Sequence, residues 1–248
     1  MEQFKLEVKA NFERSYIATR TSVDDALTNL EPHKEVYAES YSRLVSLNAW
    51  RSELFSNIFD VDTAEFFQEA HNDALMSHAL ARQGAWRVAL MSLRSLIENT
   101  LFGLYYCEHP VELQQWLIGE HKLGFSETIM YLSRHPKLKK IDEALTGIEI
   151  LKKEYATLSK AVHGSAKVFR MSRDGTVTGL NLSSASELGA WSCREKSTIA
   201  AINLLLTCFF AEHLSGAALP NLRKSISLAI PVKKHANLRA ALQVTLRH

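Results

Sequence analysis

Apolar residues recur three and four positions apart along most of the chain, the spacing that places side chains on one face of an α-helix. Glycine and proline, which interrupt helices, number only 10 and 5. The helical patterns are separated by short stretches that contain one of these residues, and no repeat of fixed period is present. The pattern therefore predicts a mainly α protein.

The first sixty residues predict two helical segments. One begins at Thr21 or Ser22, has acidic residues in its first turn and stops at Pro32. The other has an apolar stripe over residues 36–50. We expect residues 1–61 to form an N-terminal helical extension that packs on the main domain.

The main domain is predicted over residues 62–215. Its first helix has Asp62 as a candidate N-cap, with Glu65 three positions later, and a late helix ends at Gly164. The most apolar segment lies at about 186–214 and has fewer than the roughly 20 consecutive apolar residues that cross a bilayer. It is typical of a buried core helix and not of a membrane span.

The hydrophobic spacing changes just after Gly164. Residues 168–171 and 176–180 alternate as short strands do, and Asp174-Gly175 between them is a frequent hairpin turn. The sequence predicts one small β-hairpin near residues 167–181.

Charge adds one feature to this picture. Lys and Arg total 29 and Asp and Glu total 27, so a net charge of +2 does not by itself indicate binding to nucleic acid or membrane. Residues 216–248, however, contain basic residues and no acidic ones. We expect a basic C-terminal tail, either solvated or binding phosphate or a partner.

The N-terminus interleaves charged and apolar residues and lacks the apolar core of a signal peptide. Three widely separated cysteines are typical of reduced thiols, so a cytoplasmic protein is predicted. No Cys-x-x-Cys pair is present, and His71 and His78 are seven positions apart, so neither a metal nor a cofactor is predicted.

Motifs of several enzyme classes are missing. The sequence has no GxxxxGK[ST] phosphate loop, no GxGxxG, no GxSxG and no SxxK. The polar residues of interest lie on helices instead. Arg94 and Glu98 are four positions apart and can form a helix-stabilising ion pair, and His163 can interact with the last carbonyls of its helix.

Two segments, RSLIENTLFGLYY and EYATLSKAVHGS, resemble the HEPN superfamily, helical domains found in many prokaryotic toxins and abortive-infection proteins. Many active members carry Arg, four to six residues, then His, a spacing that this chain does not have. Members of the anticodon-nuclease type carry a different arrangement, to which this chain is similar: Arg and Glu lie four positions apart on one helix, and a distant His lies on another helix. Arg94, Glu98 and His163 match that arrangement.

The resemblance implies that residues 62–215 form an antiparallel helical bundle. It also implies a metal-independent endoribonuclease, a toxin or anti-phage effector, that cleaves RNA through attack by the 2′-hydroxyl. Arg94 would hold the phosphate, because guanidinium stays charged and binds two oxygens. His163 would act as acid or base, because histidine side chains exchange protons near neutral pH. Glu98 would orient one of these residues or share the role of base. Cations near His163 in sequence are the expected contacts to the RNA backbone or ordinary surface cations: Lys160, Lys167, Arg170 and Arg173.

The partners implied by the resemblance are an RNA substrate, possibly tRNA, a second copy of the chain in a homodimer, and an antitoxin or regulatory subunit; no membrane partner is expected. Two alternatives stay open. The chain can be a non-catalytic HEPN-like module that binds RNA, a nucleotide or a protein, or a helical scaffold in which Arg94 and Glu98 only pair and His163 only caps a helix.

Overall fold

A computed structural model describes residues 1–173, 176–177 and 180–246 of the chain, which are mainly helical as predicted. Short 3₁₀ turns occupy Glu31–His33, Lys167–Phe169 and Val232–Lys234, and a π-helical turn occupies Trp50–Phe55. None of the helices in these ranges combines the length and the apolar character that a bilayer crossing requires. The α-helices in chain order are α1 (Glu2–Leu30), α2 (Lys34–Ala49), α3 (Ser56–Ile58), α4 (Val61–Arg82), α5 (Trp86–Tyr106), α6 (Pro110–Leu117), α7 (Phe125–Arg134), α8 (Pro136–Lys139), α9 (Glu143–Thr146), α10 (Ile148–His163), α11 (Ala185–Phe209), α12 (Ala211–Leu214), α13 (Pro220–Ala229) and α14 (His235–Leu242).

Helix α11 lies at the centre of the fold, and every residue from Thr198 to Phe209 is buried. Helices α2, α5, α10 and α13 pack around it. This arrangement explains why α11 is largely apolar, because a helix covered on all sides has no solvent-facing side that needs polar residues. The predicted buried core helix is confirmed.

Buried polar groups join α11 to α2. Glu195 accepts hydrogen bonds from Arg43 Nη2 at 2.6 Å, from Arg43 Nε at 2.9 Å and from Ser40 Oγ at 3.1 Å. Further along, Asn203 accepts a bond from Trp50 Nε1 at 2.9 Å. The pairs advance in the same direction along both helices, so α2 and α11 run parallel. Pairing of this kind offsets much of the cost of burying a charge or an amide.

The N-terminal region differs from its prediction. Helix α1 runs without interruption from Glu2 to Leu30, so Thr21 and Ser22 do not begin a helix. Its first twenty residues are exposed, whereas Ala26 and Leu30 are buried. Helix α2 belongs to the central core, because it packs directly against α11. Asp60 and not Asp62 caps α4, with Asp60 Oδ1 accepting a bond from the Thr63 amide at 2.8 Å.

The region after α10 also departs from the expected strands. Lys167–Phe169 forms a 3₁₀ turn, because its amides find carbonyl partners three residues back, as in Phe169 N to Ala166 O at 3.0 Å. Strand β1 (Ser172–Arg173) pairs antiparallel with β2 (Thr176–Val177), over two residues on each side. The turn predicted at Asp174-Gly175 lies outside the described residues.

The C-terminal segment is not a solvated tail over the part that the structure describes. Helices α13 and α14 bury Leu222, Ile226 and Leu238, and Val244 follows them into the core. The apolar spacing within the basic sequence is therefore the packing face of short amphipathic helices. One cation, Arg223, is itself buried and donates through Nη1 to Gly216 O at 2.5 Å. Residues 247 and 248 lie outside the described residues.

One close approach of α10 to α11 provides a test of this packing. Gly147, just before α10, has φ +74° and its backbone abuts the Ala201 carbonyl so closely that a Cβ would clash. Gly119 has a similar φ of +79° with open space around it. Both Gly→Ala variants should lose ~1 kcal/mol from the left-handed backbone, and Gly147→Ala should lose about 2 kcal/mol more from overpacking.

Urea unfolding of the two variants measures the difference. Equal losses would mean that α10 and α11 do not meet at Gly147.

The cysteines give a second test. Burial raises the pKa of the Cys107 and Cys208 thiols to about 12, whereas Cys193 is exposed. Cys208 is buried and Cys107 is partly exposed, and because the thiolate is the reactive form, both thiols should react slowly at pH 8. A thiol reagent should modify one cysteine of the folded protein rapidly, identified as Cys193 by mass spectrometry, and all three after unfolding in urea. Rapid loss of three thiols from the folded chain would contradict the core described above.

Candidate functional site

Arg94 and Glu98 lie on the face of α5 that meets α10, where α5 and α10 run antiparallel. Arg94 Nη2 lies 2.9 Å from Glu98 Oε1, so the predicted ion pair forms. Each side chain keeps about a quarter of its surface in solvent, 24% for Arg94 and 23% for Glu98. The pair is therefore partly open to solvent along the seam between the two helices, here the α5–α10 groove, and is not sealed in the core.

Two residues of α10 complete this polar cluster. Arg94 donates hydrogen bonds to the Tyr155 hydroxyl through Nη2 at 2.5 Å and to Ser159 Oγ through Nε at 3.2 Å. The Tyr155 hydroxyl in turn donates to Glu98 Oε1 at 2.8 Å. Because these bonds cross from one helix to the other, they fix the arginine in one orientation.

The role of Tyr155 and Ser159 was missed from the sequence. Neither residue is among the site residues that the sequence predicts. A signal was present, because Tyr155, Ser159 and His163 follow one another at intervals of four. Residues at this interval lie along one side of a helix. The polar residues of α10 therefore form a row that begins opposite Glu98 and ends at the helix C-terminus.

Packing around Tyr155 keeps its hydroxyl in place and protonated. The Phe125 ring, at the start of α7, stacks on the Tyr155 ring with centroids 3.6 Å apart and planes 2° apart. Burial raises the pKa of the Tyr155 hydroxyl, and its hydrogen bond to the Glu98 carboxylate raises it further. The hydroxyl is therefore a stable donor at neutral pH, which keeps the Glu98 carboxylate bonded.

His163 lies at the end of the same row. It is exposed and occupies the last turn of α10, before Gly164 in a left-handed conformation with φ +57°. Among the described residues no hydrogen bond or ion pair joins it to Arg94 or Glu98. Helix geometry puts its backbone ~6 Å beyond Ser159 along the axis. The histidine is thus next to the arginine cluster, one helical turn away.

Arg87, and not His163, bonds the carbonyls at the end of α10. Its Nε donates to Ala161 O and its Nη2 to Val162 O, each at 2.9 Å. A cation at this position also complements the negative end of the helix dipole. The role of helix cap, one alternative for His163, is filled by a residue of α5, which leaves the imidazole facing solvent.

The cations predicted to contact RNA surround the same helix end. Lys160, Lys167 and Arg170 are exposed. Arg170 Nε donates to Gly164 O at 3.4 Å, which holds its guanidinium beside the residue that follows His163. The Arg173 backbone belongs to β1, but its side chain lies outside the described residues. The three described cations create a positive patch around the histidine.

No group of three His, Cys, Asp or Glu side chains within the described ranges converges in a way that could hold a metal ion. Comparisons of the chain with models of protein families, with curated proteins and with solved structures gave no match. The chemistry of the site is therefore argued from its own residues.

The network of Arg94, Glu98 and Tyr155 predicts a stability effect. Tyr155→Phe keeps the ring stack on Phe125 but removes both hydroxyl bonds, so unfolding should become easier by about 1 kcal/mol, since solvent partly replaces them. Tyr41→Phe is the matched control, because the Tyr41 side chain is 62% exposed. Urea titration compares the two variants, and equal unfolding free energies would argue against the network.

Proposed function

We propose that the chain is a metal-independent endoribonuclease of the HEPN type, acting as a toxin or anti-phage effector. The observation that supports this best is that two groups lie along the α5–α10 groove: a fixed guanidinium at Arg94 of α5 and an exposed imidazole at His163 of α10. Cleavage of RNA without a metal requires a cation for the phosphate and a group that moves protons.

Arg94 is the phosphate-binding group of the proposal. Its Nε and Nη2 are engaged by Ser159, Tyr155 and Glu98, whereas Nη1 has no hydrogen-bond partner among the described residues. The available N–H groups at Nη1 can donate to a phosphate oxygen while the rest of the guanidinium is held still. A donor fixed in advance stabilises charge that develops on the phosphate at little cost in reorganisation.

His163 is the proton-transfer group. In the proposed reaction a base removes the proton of the ribose 2′-hydroxyl, the 2′-oxygen attacks the adjacent phosphorus, and the bond to the 5′-oxygen breaks. The departing 5′-oxygen takes up a proton, and the first product ends in a 2′,3′-cyclic phosphate. His163 supplies or removes one of these protons. His163 is exposed, whereas Arg94 stays charged and does not exchange protons, so His163 is the group assigned to proton transfer.

Glu98 serves the arginine and not the histidine in this proposal. Its Oε1 is engaged by Arg94 and by the Tyr155 hydroxyl, and it has no bond to His163 within the described residues. Glu98 and Tyr155 are therefore positioning residues that set the direction of the guanidinium. The proposed partners are an RNA strand, possibly tRNA, a second copy of the chain, and an antitoxin or regulatory subunit.

A non-catalytic HEPN-like binding module is the second candidate. The observation in its favour is that Arg94, Glu98, Tyr155 and Ser159 bond mainly to one another, with His163 one turn away. Such a groove can hold a phosphate without cleaving the chain that carries it. The scaffold alternative has less support, because a purely structural ion pair does not require the exposed cations around the end of α10.

Incubation of the protein with total RNA in EDTA tests the endoribonuclease. The wild type should cut RNA, and His163→Ala and Arg94→Ala should each reduce the rate by at least about 100-fold, the usual range for a general acid or base or for a charge-stabilising donor. His33→Ala, in the 3₁₀ turn after α1, is the matched control and should cut normally.

The chemistry of the cut has its own signature. A single 2′-deoxy substitution at a mapped cleavage position should block that cut, and the product should carry a 2′,3′-cyclic phosphate. Cleavage by both His163→Ala and Arg94→Ala at the wild-type rate would eliminate the site. Intact RNA that nevertheless binds to the wild-type groove would favour the binding module.

A further inference from the structure

A cavity of about 310 Å³ opens at the same end of the bundle as His163. Its walls come from the turn between α4 and α5, from the segment after α10 and from the segment before α11. A volume of this size lies at the lower end of the range typical for small-ligand sites. The polar row described above does not use it.

The cavity shares two cations with the end of α10. Arg87 and Arg170 line it, and both also contact the backbone immediately around His163. Arg87 bonds the carbonyls of Ala161 and Val162, and Arg170 bonds that of Gly164. A ligand inside the cavity therefore lies against the same guanidinium groups that border the proposed catalytic histidine.

Apart from Gln83, Asn181 and the carboxylate residue Glu187, the remaining wall is apolar and partly aromatic. Phe169 and Trp86 line it, and the mouth carries large apolar side chains that solvent reaches: Val88 is 46% exposed, Val168 68% and Leu180 64%. The Trp86 indole Nε1 is already used, donating to Leu182 O at 2.9 Å, so this ring can offer only its apolar surface. Flat ring systems pack well on such surfaces.

Few polar groups line the rim, and two of them are the side-chain amides of Gln83 and Asn181. Asn181 Nδ2 donates to Gln83 O at 2.7 Å, which ties the two strips of the rim together. The Gln83 side-chain amide also borders the cavity and has no hydrogen-bond partner among the described residues. An amide that can both donate and accept matches the edge of a heterocyclic base.

From these features we infer that the cavity beside Arg87 and Arg170 takes the base of one nucleotide, whose phosphate lies at the two arginines. An apolar slot with an aromatic wall fits a base, because bases are read in proteins by stacking on aromatic side chains and by hydrogen bonds at their edges. The assignment to an RNA strand rests on the proposed function, in which the cavity would select the base next to the cut.

The test uses Phe169→Ala, which removes the aromatic wall, with Phe4→Ala as the control, because Phe4 is 67% exposed on α1 and belongs to another part of the surface. Binding of the four nucleoside 5′-monophosphates and of short single-stranded RNA is measured by calorimetry. The wild type should prefer one base or one class of bases. Phe169→Ala should lower the affinity for that ligand by on the order of tenfold, because one base–aromatic stack is lost.

A second variant separates the two parts of the cavity. Arg170→Gln should weaken all monophosphates to a similar degree and keep the base preference, because the arginine contacts phosphate and not base. Thermal unfolding of each variant confirms that it is folded. If Phe169→Ala is unfolded, Val168→Trp, which narrows the mouth, replaces it and should also weaken binding.

The outcomes distinguish the cavity from the endoribonuclease. RNA that is cut with the same base preference by the wild type and Phe169→Ala would overturn the cavity proposal and leave the nuclease intact. Base-selective binding that is lost in Phe169→Ala, with RNA uncut, would support the cavity and overturn the nuclease. If Phe169→Ala weakens the binding of monophosphates alone, the ligand is a free nucleotide. If Phe169→Ala weakens the binding of RNA as well, the ligand is the RNA strand.

Discussion

The ion pair between Arg43 and Glu195 is the constraint on which the arrangement of the helices depends. Helix α11 is buried over most of its length and yet carries a carboxylate, so a cation must accompany it into the core. Burial raises the pKa of Glu195, while Arg43 and Ser40 oppose that rise. Removing one partner of a buried pair of this kind typically costs about 3–5 kcal/mol, far more than an exposed pair contributes. The pair therefore fixes α2 against α11, and the other helices pack around both.

The candidate site is a consequence of that rigid centre. Helices α5 and α10 both rest on α11, so the groove between them has a fixed width. Within it, each hydrogen bond contributes only about 1 kcal/mol, but the bonds from Arg94 reach two residues of another helix. These hydrogen bonds add little to the overall stability of the protein, but they hold the Arg94 guanidinium in one orientation. A surface arginine without such partners would sample many rotamers and lose more entropy on binding a phosphate.

Much of the helical pattern could be predicted from spacing, and specific contacts between distant segments could not. The end of α10 at Gly164 and the buried run in α11 follow from local signals, a glycine and a long, largely apolar stretch. Local signals failed where packing decided the outcome. The apolar positions of the C-terminal segment were hidden by its charge, and the residues after Gly164 satisfied their amides in a 3₁₀ turn. Tyr155 was missed because its partner lies 57 residues away, a pairing that sequence spacing does not reveal.

The large separation of α2 and α11 along the chain determines when their contact can form during synthesis. Arg43 and Glu195 are 152 positions apart, so the central contact of the protein cannot form until the residues between them have been made. At about 5–20 residues per second, α2 waits on the order of ten seconds with its apolar face uncovered. During that interval the nascent chain exposes Leu44, Leu47 and Trp50, all buried in the finished fold. An incomplete chain on the ribosome therefore exposes an apolar surface of the kind that makes folding intermediates prone to aggregation.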